Sequence, residues 1–381
     1  MLNPLLIVFV GCGLIYFAVC VISFIGLFVQ MKRRSGYTPT VSVLIAARNE
    51  EESIAALLND LLAQTYPDKC FDITVIDDCS TDATAEIVGS FAAENQNIRQ
   101  KSSDDSRSPY THKKKAVHEG ILSSDGEIIM TIDADCRVNS DWIERMLSYF
   151  NDDVDLVAGE VLIEGGGIMG MIETLEFTGI QLMSAGLMNM RFPITCNGAN
   201  LAYRREAFDR VGGYEGVGSV VSGDDDLLMQ KITDGNRSRA VYAVGVASAV
   251  RVEAVQSVQE FLSKRIRWAS KITTYPSRSA LDMLVVIFAF FVLVPFLVIY
   301  SIASGTGFMP FLIGYGLKTI GDFLLAGLGV VMRGRPLLLV FFPLAELVHV
   351  PYIIYVTLKG YFGSFEWHGR RTRSMSDNSG L

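Results

Sequence analysis

Three observations predict an α/β fold with a mostly parallel sheet, flanking helices and a membrane anchor at each end. Between residues 41 and 132, short apolar runs of strand length alternate with segments of helical period. That order implies parallel strands covered by helices on both faces. Three successive apolar runs end in polar clusters: Arg48-Asn49-Glu50, Asp77-Asp78 and Asp133-Ala134-Asp135. In such sheets ligands bind beyond the carboxyl ends of the strands. Finally, half of the 381 residues are hydrophobic, and the excess is concentrated at the two ends of the chain.

Residues 4–30 carry no charge and exceed the roughly 20 residues that span a bilayer as a helix. A cleaved leader fits less well, because the run is long and the basic cluster Lys32-Arg33-Arg34 follows rather than precedes it. Residues 1–31 are therefore expected to form a transmembrane helix. The positive-inside rule places the following domain, residues 38–255, in the cytoplasm, with the cell inner membrane as the location.

Within that domain, residues 41–47 (VSVLIAA) predict the first strand. Ile54, Leu57, Leu58, Leu61 and Leu62 then recur on one helical face. Residues 72–76 predict the second strand, and the polar turn 77–82 is rich in helix-capping types ahead of a helix over about 82–93. Residues 100–112 read as a polar loop, and Lys113-Lys114-Lys115 open a helix over about 113–123. The strand at 127–132 delivers Asp133 and Asp135, which as positions i and i+2 of an extended segment point the same way. Adjacent carboxylates repel, and a divalent cation such as Mn²⁺ or Mg²⁺, shared with substrate phosphate oxygens, relieves that repulsion. A single Asp pair also suits a turn or a helix cap; polar clusters at three successive strand ends do not.

Gly165-Gly166-Gly167 break the chain before an apolar helix over 168–190 that carries Met169, Met171, Met183, Met188 and Met190. Methionine adapts to irregular apolar partners, so this helix suits either a lipid groove or a core. Cys196-Asn197-Gly198-Ala199-Asn200 precede a strand, Arg204-Arg205 follow it, and Gly212-Gly213-Tyr214 make a turn. Gly223-Asp224-Asp225-Asp226 open the next helix. One acid suffices to suit the positive end of a helix dipole, so three in a row point to chemistry in at least one. Residues 256–276 form an amphipathic segment whose Lys264, Arg265, Arg267, Trp268 and Lys271 suit an interfacial helix at an anionic membrane surface. Its Arg-Trp pair also suits a diphosphate.

Apolar stretches at 281–303, 308–331 and 337–358 predict a C-terminal membrane region, residues 281–358, of two to three spans. Pro343 and Pro351 leave the last stretch open to a re-entrant path. Lys318 and Asp322, one helical turn apart, are expected to form a snorkelling pair near a tilted helix end. A basic tail, residues 359–381, carries Lys359, Arg370, Arg371 and Arg373. The net charge of −8 argues against a nucleic-acid partner. The six cysteines form no C-x-x-C pair, and the histidines fall at 112, 118, 349 and 368. Neither a zinc site nor a disulfide framework is indicated.

Together, VSVLIAARNEEE, VIDDCSTD, HKKKAVHEGI, TIDADC, CNGANLAYRREAFDRVGGY, SGDDDL and KRIRW resemble the motifs of family 2 glycosyltransferases with the GT-A fold, over roughly residues 40–272. The ending FEWHGRRTR resembles the tail of membrane-embedded, lipid-modifying members. In KRIRW, Lys264 replaces the Gln of the Q-x-x-R-W motif found in processive synthases and ceramide glucosyltransferase-like enzymes. In SGDDDL, Gly223 replaces an expected Glu.

The resemblance implies an inverting, single-displacement transfer from a nucleotide diphosphate sugar. Glu50, Asp77 and Asp78 would bind the base and ribose. Asp133 and Asp135 would hold ribose and a metal ion, Mn²⁺ or Mg²⁺. Lys113, Arg267 and Trp268 would serve the diphosphate side, and Asp224 would be the general base. Asn197, Gly198, Asp225 and Asp226 would line the acceptor side. With membrane segments at both ends, the expected acceptor is a membrane lipid with a hydroxyl group: a sphingolipid, diacylglycerol, hydroxycarotenoid or polyprenyl phosphate. The alternatives are a processive polysaccharide synthase and a catalytically silent sugar-nucleotide-binding scaffold.

Overall fold

A computed structural model describes residues 4–29, 31–103, 108–110, 112–220, 222–236, 238–367 and 370–373. Of the expected basic tail, residues 368–369 and 374–381 lie outside the described residues, as do 104–107 and 111 of the expected loop.

After α1 (Pro4–Leu27), the chain runs β1 (Val41–Ala47), α2 (Ile54–Leu62), β2 (Phe71–Asp77), α3 (Thr84–Glu94), β3 (Ile98–Ser102), α4 (His112–Leu122), β4 (Ile128–Asp133) and α5 (Trp142–Leu147). It continues with β5 (Val154–Gly159), β6 (Val161–Glu164), α6 (Gly167–Asn189), β7 (Leu201–Arg204), α7 (Arg205–Arg210), α8 (Asp226–Thr233), β8 (Arg239–Ala243) and β9 (Val250–Glu253). Next come α9 (Val258–Ala269), α10 (Arg278–Ser304), α11 (Phe308–Met332), α12 (Phe342–Phe362) and the pair β10 (Ser364–Trp367) and β11 (Arg370–Arg373).

The central sheet has the order β3-β2-β1-β4-β7-β5-β8. All its pairings are parallel except those of β7, which runs antiparallel between β4 and β5. The two-residue period of a strand divides the core into two layers. Val41, Val43 and Ile45 pack with Leu57 and Leu61 of α2 and Trp142 of α5. Leu44, Ile76 and Ile129 pack with Ala116, Val117 and Ile121 of α4 on the opposite face. The expected loop at 100–112 begins inside a strand: β3 is an edge strand in which Ile98 alone is fully buried. Its polar residues suit an exposed edge and give no apolar alternation to read.

Among the described residues, four helices are long and apolar enough to cross a membrane: residues 4–27, 278–304, 308–332 and 336–362. Their outward faces carry large apolar side chains such as Ile302, Leu337 and Leu347, each at least 70% exposed, as a lipid-facing surface requires. The last stretch is helical through Pro351 and long enough to span. Helix α1 lies directly on α6, where a Cβ on Gly186 would fall on the Ser23 carbonyl. The membrane bundle and the sheet domain therefore share α6.

The expected snorkelling pair is a buried cluster instead. Lys318 is fully buried, with its ammonium 2.9 Å from Asp322, 2.6 Å from Glu346 and 2.9 Å from His349 Nδ1. Tyr16 donates to Asp322 at 2.5 Å. Burial makes each charge depend on its partners, and beyond the Lys318–Asp322 pair these are Tyr16 of α1 and Glu346 and His349 of α12, too distant in sequence for helical spacing to reveal. Asp322, Glu346 and His349 could hold a metal ion by spacing, but the Lys318 ammonium already supplies the cation.

Candidate functional site

The ends of β1, β2 and β4 open into one cavity of about 1290 Å³. Asn49 and Cys79 adopt left-handed backbone conformations (φ 56° and 60°), which turn the chain sharply as it leaves β1 and β2. The two turns are joined, because the Thr81 N–H donates to Asn49 Oδ1 at 2.8 Å and the Glu50 N–H to Thr84 Oγ1 at 2.7 Å. Glu50 and Asp78 line the cavity. Asp77, expected beside them, does not: it is buried, and its carboxylate accepts from the Ser80 N–H at 3.2 Å. Successive residues of an extended segment face opposite ways, so Asp77 fastens the turn while Asp78 faces the cavity.

Glu50 titrates unusually. Burial, reinforced by the charges of Asp135 and Asp133, pushes its carboxyl up to about 7, although Ser53 donates to it at 2.8 Å. A carboxyl raised on folding contributes stability at low pH that is lost as pH rises from the ordinary carboxylate range through its folded value. Glu50→Gln should therefore raise the melting temperature of the donor-free protein at about pH 8 and change it little at about pH 4. Equal effects at both values would contradict this.

Asp133, Asp135, Lys113 and Asp224 meet in the same cavity. The Lys113 ammonium bridges Asp133 Oδ1 at 2.5 Å and Asp224 Oδ2 at 3.2 Å. Burial disfavours this ammonium, but Asp133 and Asp224 outweigh it and hold the Lys113 pKa above its ordinary value. Asp135 is reached through the cavity. Surrounding protein raises its pKa, and the Asp133 charge adds to the effect.

Gly198 passes beneath this group. A Cβ there would lie 3.0 Å from Asp224 Oδ2 and 3.2 Å from Lys113 Nζ, so a side chain would crowd the pair. Asn197 lines the cavity beside it, and its Oδ1 accepts from the Ala199 N–H at 2.9 Å.

The three acids at the start of α8 have separate roles. Asp224 faces the cavity. Asp225 accepts from the Gly198 N–H at 3.0 Å, from the Asp226 N–H at 2.7 Å and from Lys271 at 3.1 Å. Burial disfavours its charge, but Lys271 and the Asp226 contacts hold it below the usual carboxylate range. Asp226, expected on the acceptor side, is fully buried behind the cavity wall. It accepts from Tyr275 at 2.7 Å and pairs with Lys271 at 2.9 Å. Burial and the Asp225 charge outweigh Lys271 and raise the pKa of Asp226.

The basic residues of α9 do not face outward as an interfacial helix requires. Arg265 is 4% exposed and reaches Glu176 at 2.5 Å and Glu173 at 3.7 Å, both on α6; Lys264 lies 3.3 Å from Glu173. Those two acids, about 90 residues earlier in the chain, draw the basic face inward. Arg267 and Trp268 line the cavity. Burial pulls the Arg267 pKa down against the opposing charges of Asp133 and Asp224. Trp268 packs on Phe177 at 5.5 Å between ring centres and beneath Arg265 at 4.4 Å.

Sequence reasoning missed Lys114, which reads as one of three helix-opening lysines. It is fully buried and donates to the carbonyls of Val217, Val220 and Ser222 at 2.7–2.9 Å. It thereby pins the segment leading into Asp224, and burial pulls its pKa down to about 8. Beyond Asp224 the cavity lining is largely apolar, with Met183 of α6, Leu284, Ile287 and Phe288 of α10, and Val348 and Ile353 of α12, and it also includes Asp322 and Glu346. Of the methionines on α6, Met169 and Met183 line the cavity, Met188 is in the core, and Met171 is exposed.

The chain is 31% identical over 205 residues to glycosyltransferase AglE of Haloferax volcanii, covering 52% of this chain and 63% of that one. It is 28% identical over 247 residues to beta-monoglucosyldiacylglycerol synthase of Nostoc sp., covering 62% of this chain and 50% of that one. It thus spans between half and two-thirds of the length of these relatives. In fold it is similar to the mannosyltransferase PcManGT from Pyrobaculum calidifontis, solved with GDP-Man and Mn²⁺, with a TM-score of 0.57 at 18% identity over 93% of this chain and 98% of that one. The family model described as glycosyl transferase family 2 matches residues 42–212, and that described as glycosyl transferase family group 2 matches residues 128–356. The second match alone takes in more than half of the sequence, and the chain belongs to the family 2 glycosyltransferases.

Proposed function

We propose that the chain transfers a sugar from a nucleotide diphosphate sugar to a hydroxyl group of a membrane lipid, with inversion at the anomeric carbon. The observation that carries this reading is the continuity of one cavity from the strand-end carboxylates to the apolar walls of α6, α10 and α12. A donor at the polar end and an amphiphile along the apolar end would meet at Asp224. Two of the comparisons support the two halves: one relative is named a beta-monoglucosyldiacylglycerol synthase, and the fold neighbour was solved with GDP-Man and Mn²⁺. The basic cluster that follows α1 favours a cytoplasmic catalytic domain, with the cell inner membrane as the location.

Glu50 and Asp78 are positioned for hydrogen bonds to the base and ribose. Asp133 and Asp135 fit a divalent ion, Mn²⁺ or Mg²⁺, because their oxygens are of the preferred hard type and their mutual repulsion is what a cation relieves. When bound, such an ion offsets negative charge on the departing diphosphate. Arg267 and Lys113 would add to that stabilisation as charge develops. Asp224 takes the proton from the lipid hydroxyl as its oxygen attacks the anomeric carbon. Lys113 begins paired with Asp224; a donor diphosphate offers its ammonium a competing anion, so donor binding would release Asp224 for the acceptor.

Incubating the protein with labelled nucleotide sugars and separating the products by phase tests this. Label should appear in the organic phase as a lipid bearing one sugar. The motive for a single addition is Lys264, which stands where processive synthases carry Gln and is paired with Glu173. Label confined to an aqueous product that lengthens with time would overturn the reading in favour of a polysaccharide synthase.

A further inference from the structure

We infer that the acceptor is uncharged around its reactive hydroxyl: the site suits a neutral lipid alcohol and disfavours a lipid phosphate. This rests on the lipid-acceptor reading above and narrows it. Among the described residues lining the cavity, eleven carboxylates stand against six lysine or arginine side chains. At the strand ends that excess matches a bound cation, and Lys113 and Arg267 are placed for the donor diphosphate. Toward the membrane the protein's own acids hold the cations. Lys264 is 3.3 Å from Glu173, and Arg265 is 2.5 Å from Glu176. Lys271 is 3.1 Å from Asp225 and 2.9 Å from Asp226. Lys318 lies behind the wall formed by Asp322 and Glu346, 2.9 and 2.6 Å from them.

A lipid phosphate seated against α6, α10 and α12 would therefore meet carboxylates and neutralised cations. In a cavity walled by apolar side chains, such like-charge contacts are weakly screened. Binding of the donor does not change the sign, because the roughly two negative charges of a nucleotide diphosphate sugar cancel those of one divalent ion. A neutral hydroxyl carries no such penalty and presents a proton to Asp224. Electrostatic mismatch of this kind discriminates between partners more strongly than apolar contact does.

The test uses the full chain in neutral detergent with labelled donor and two sets of acceptors. One set is total membrane lipid divided into neutral and acidic fractions by anion exchange. The other is a polyprenol and its own monophosphate, which share one tail. The neutral fraction and the free polyprenol should each accept sugar at least about tenfold faster than their charged counterparts. Faster transfer to the acidic fraction or to the polyprenyl phosphate would overturn the inference and leave the lipid-acceptor reading standing. Label recovered only in an aqueous glycan would overturn the lipid-acceptor reading itself.

Discussion

Asp224→Asn should cut sugar transfer roughly a hundredfold or more while leaving donor affinity nearly unchanged, the usual consequence of losing a positioned general base. Asparagine keeps the size of the side chain and its place over Gly198, but it cannot take a proton at neutral pH. The neighbouring acids provide the control. Asp225 ties the Gly198 N–H to Lys271, and Asp226 ties Lys271 to Tyr275. Each substitution removes one of the two carboxylates that hold the buried Lys271 ammonium, so Asp225→Asn and Asp226→Asn should lower the melting temperature. Asp224→Asn, whose side chain lies at the cavity wall with Asp133 still 2.5 Å from Lys113, should lower it less. Donor titration, initial rates and melting curves on the three purified variants separate these effects. A folded Asp226→Asn protein that is inactive, beside an Asp224→Asn protein that retains most of its rate, would place the base on the wrong carboxylate.

Removing divalent metal should abolish transfer, and adding Mn²⁺ or Mg²⁺ should restore it. The two acids of the strand-end pair are not equivalent. Asp133 has the Lys113 ammonium at 2.5 Å, whereas Asp135 meets the Cys136 thiol at 3.8 Å and is pushed toward protonation by burial and by Asp133. Asp135 therefore has the greater need of a cation. Asp135→Asn should weaken metal-dependent donor binding as well as the rate, and donor titration with and without metal reads the binding part directly. Full activity in excess chelator would refute the metal assignment.

Much of the scaffold was legible because burial shows in the local apolar pattern. The continuous apolar runs at 41–47 and 128–132, buried on both faces, and the i, i+3, i+4 face at 54–62 place β1, β4 and α2 nearly at their observed bounds. The long apolar runs place the membrane helices for the same reason. β3 escaped because an edge strand exposes its polar side chains and has no apolar period. The antiparallel direction of β7 escaped because strand direction depends on its neighbours, β4 and β5, and not on its own residues.

The sequence by itself determined which chemistry was available: carboxylates at three strand ends, a lysine at the start of α4, three acids before α8 and apolar spans on both sides. Only the tertiary structure decided which of these groups face the cavity. Asp78 does and Asp77 does not; Asp224 does and Asp226 does not. It also turned the basic face of α9 toward Glu173 and Glu176 and surrounded Lys318 with Asp322, Glu346 and His349. The reason is physical: a carboxylate carries the same charge whether it fastens a turn, neutralises a buried lysine or awaits a substrate. What separates those roles is the side-chain direction, set by a single step along the backbone, and the partner, brought from dozens to hundreds of residues away by packing.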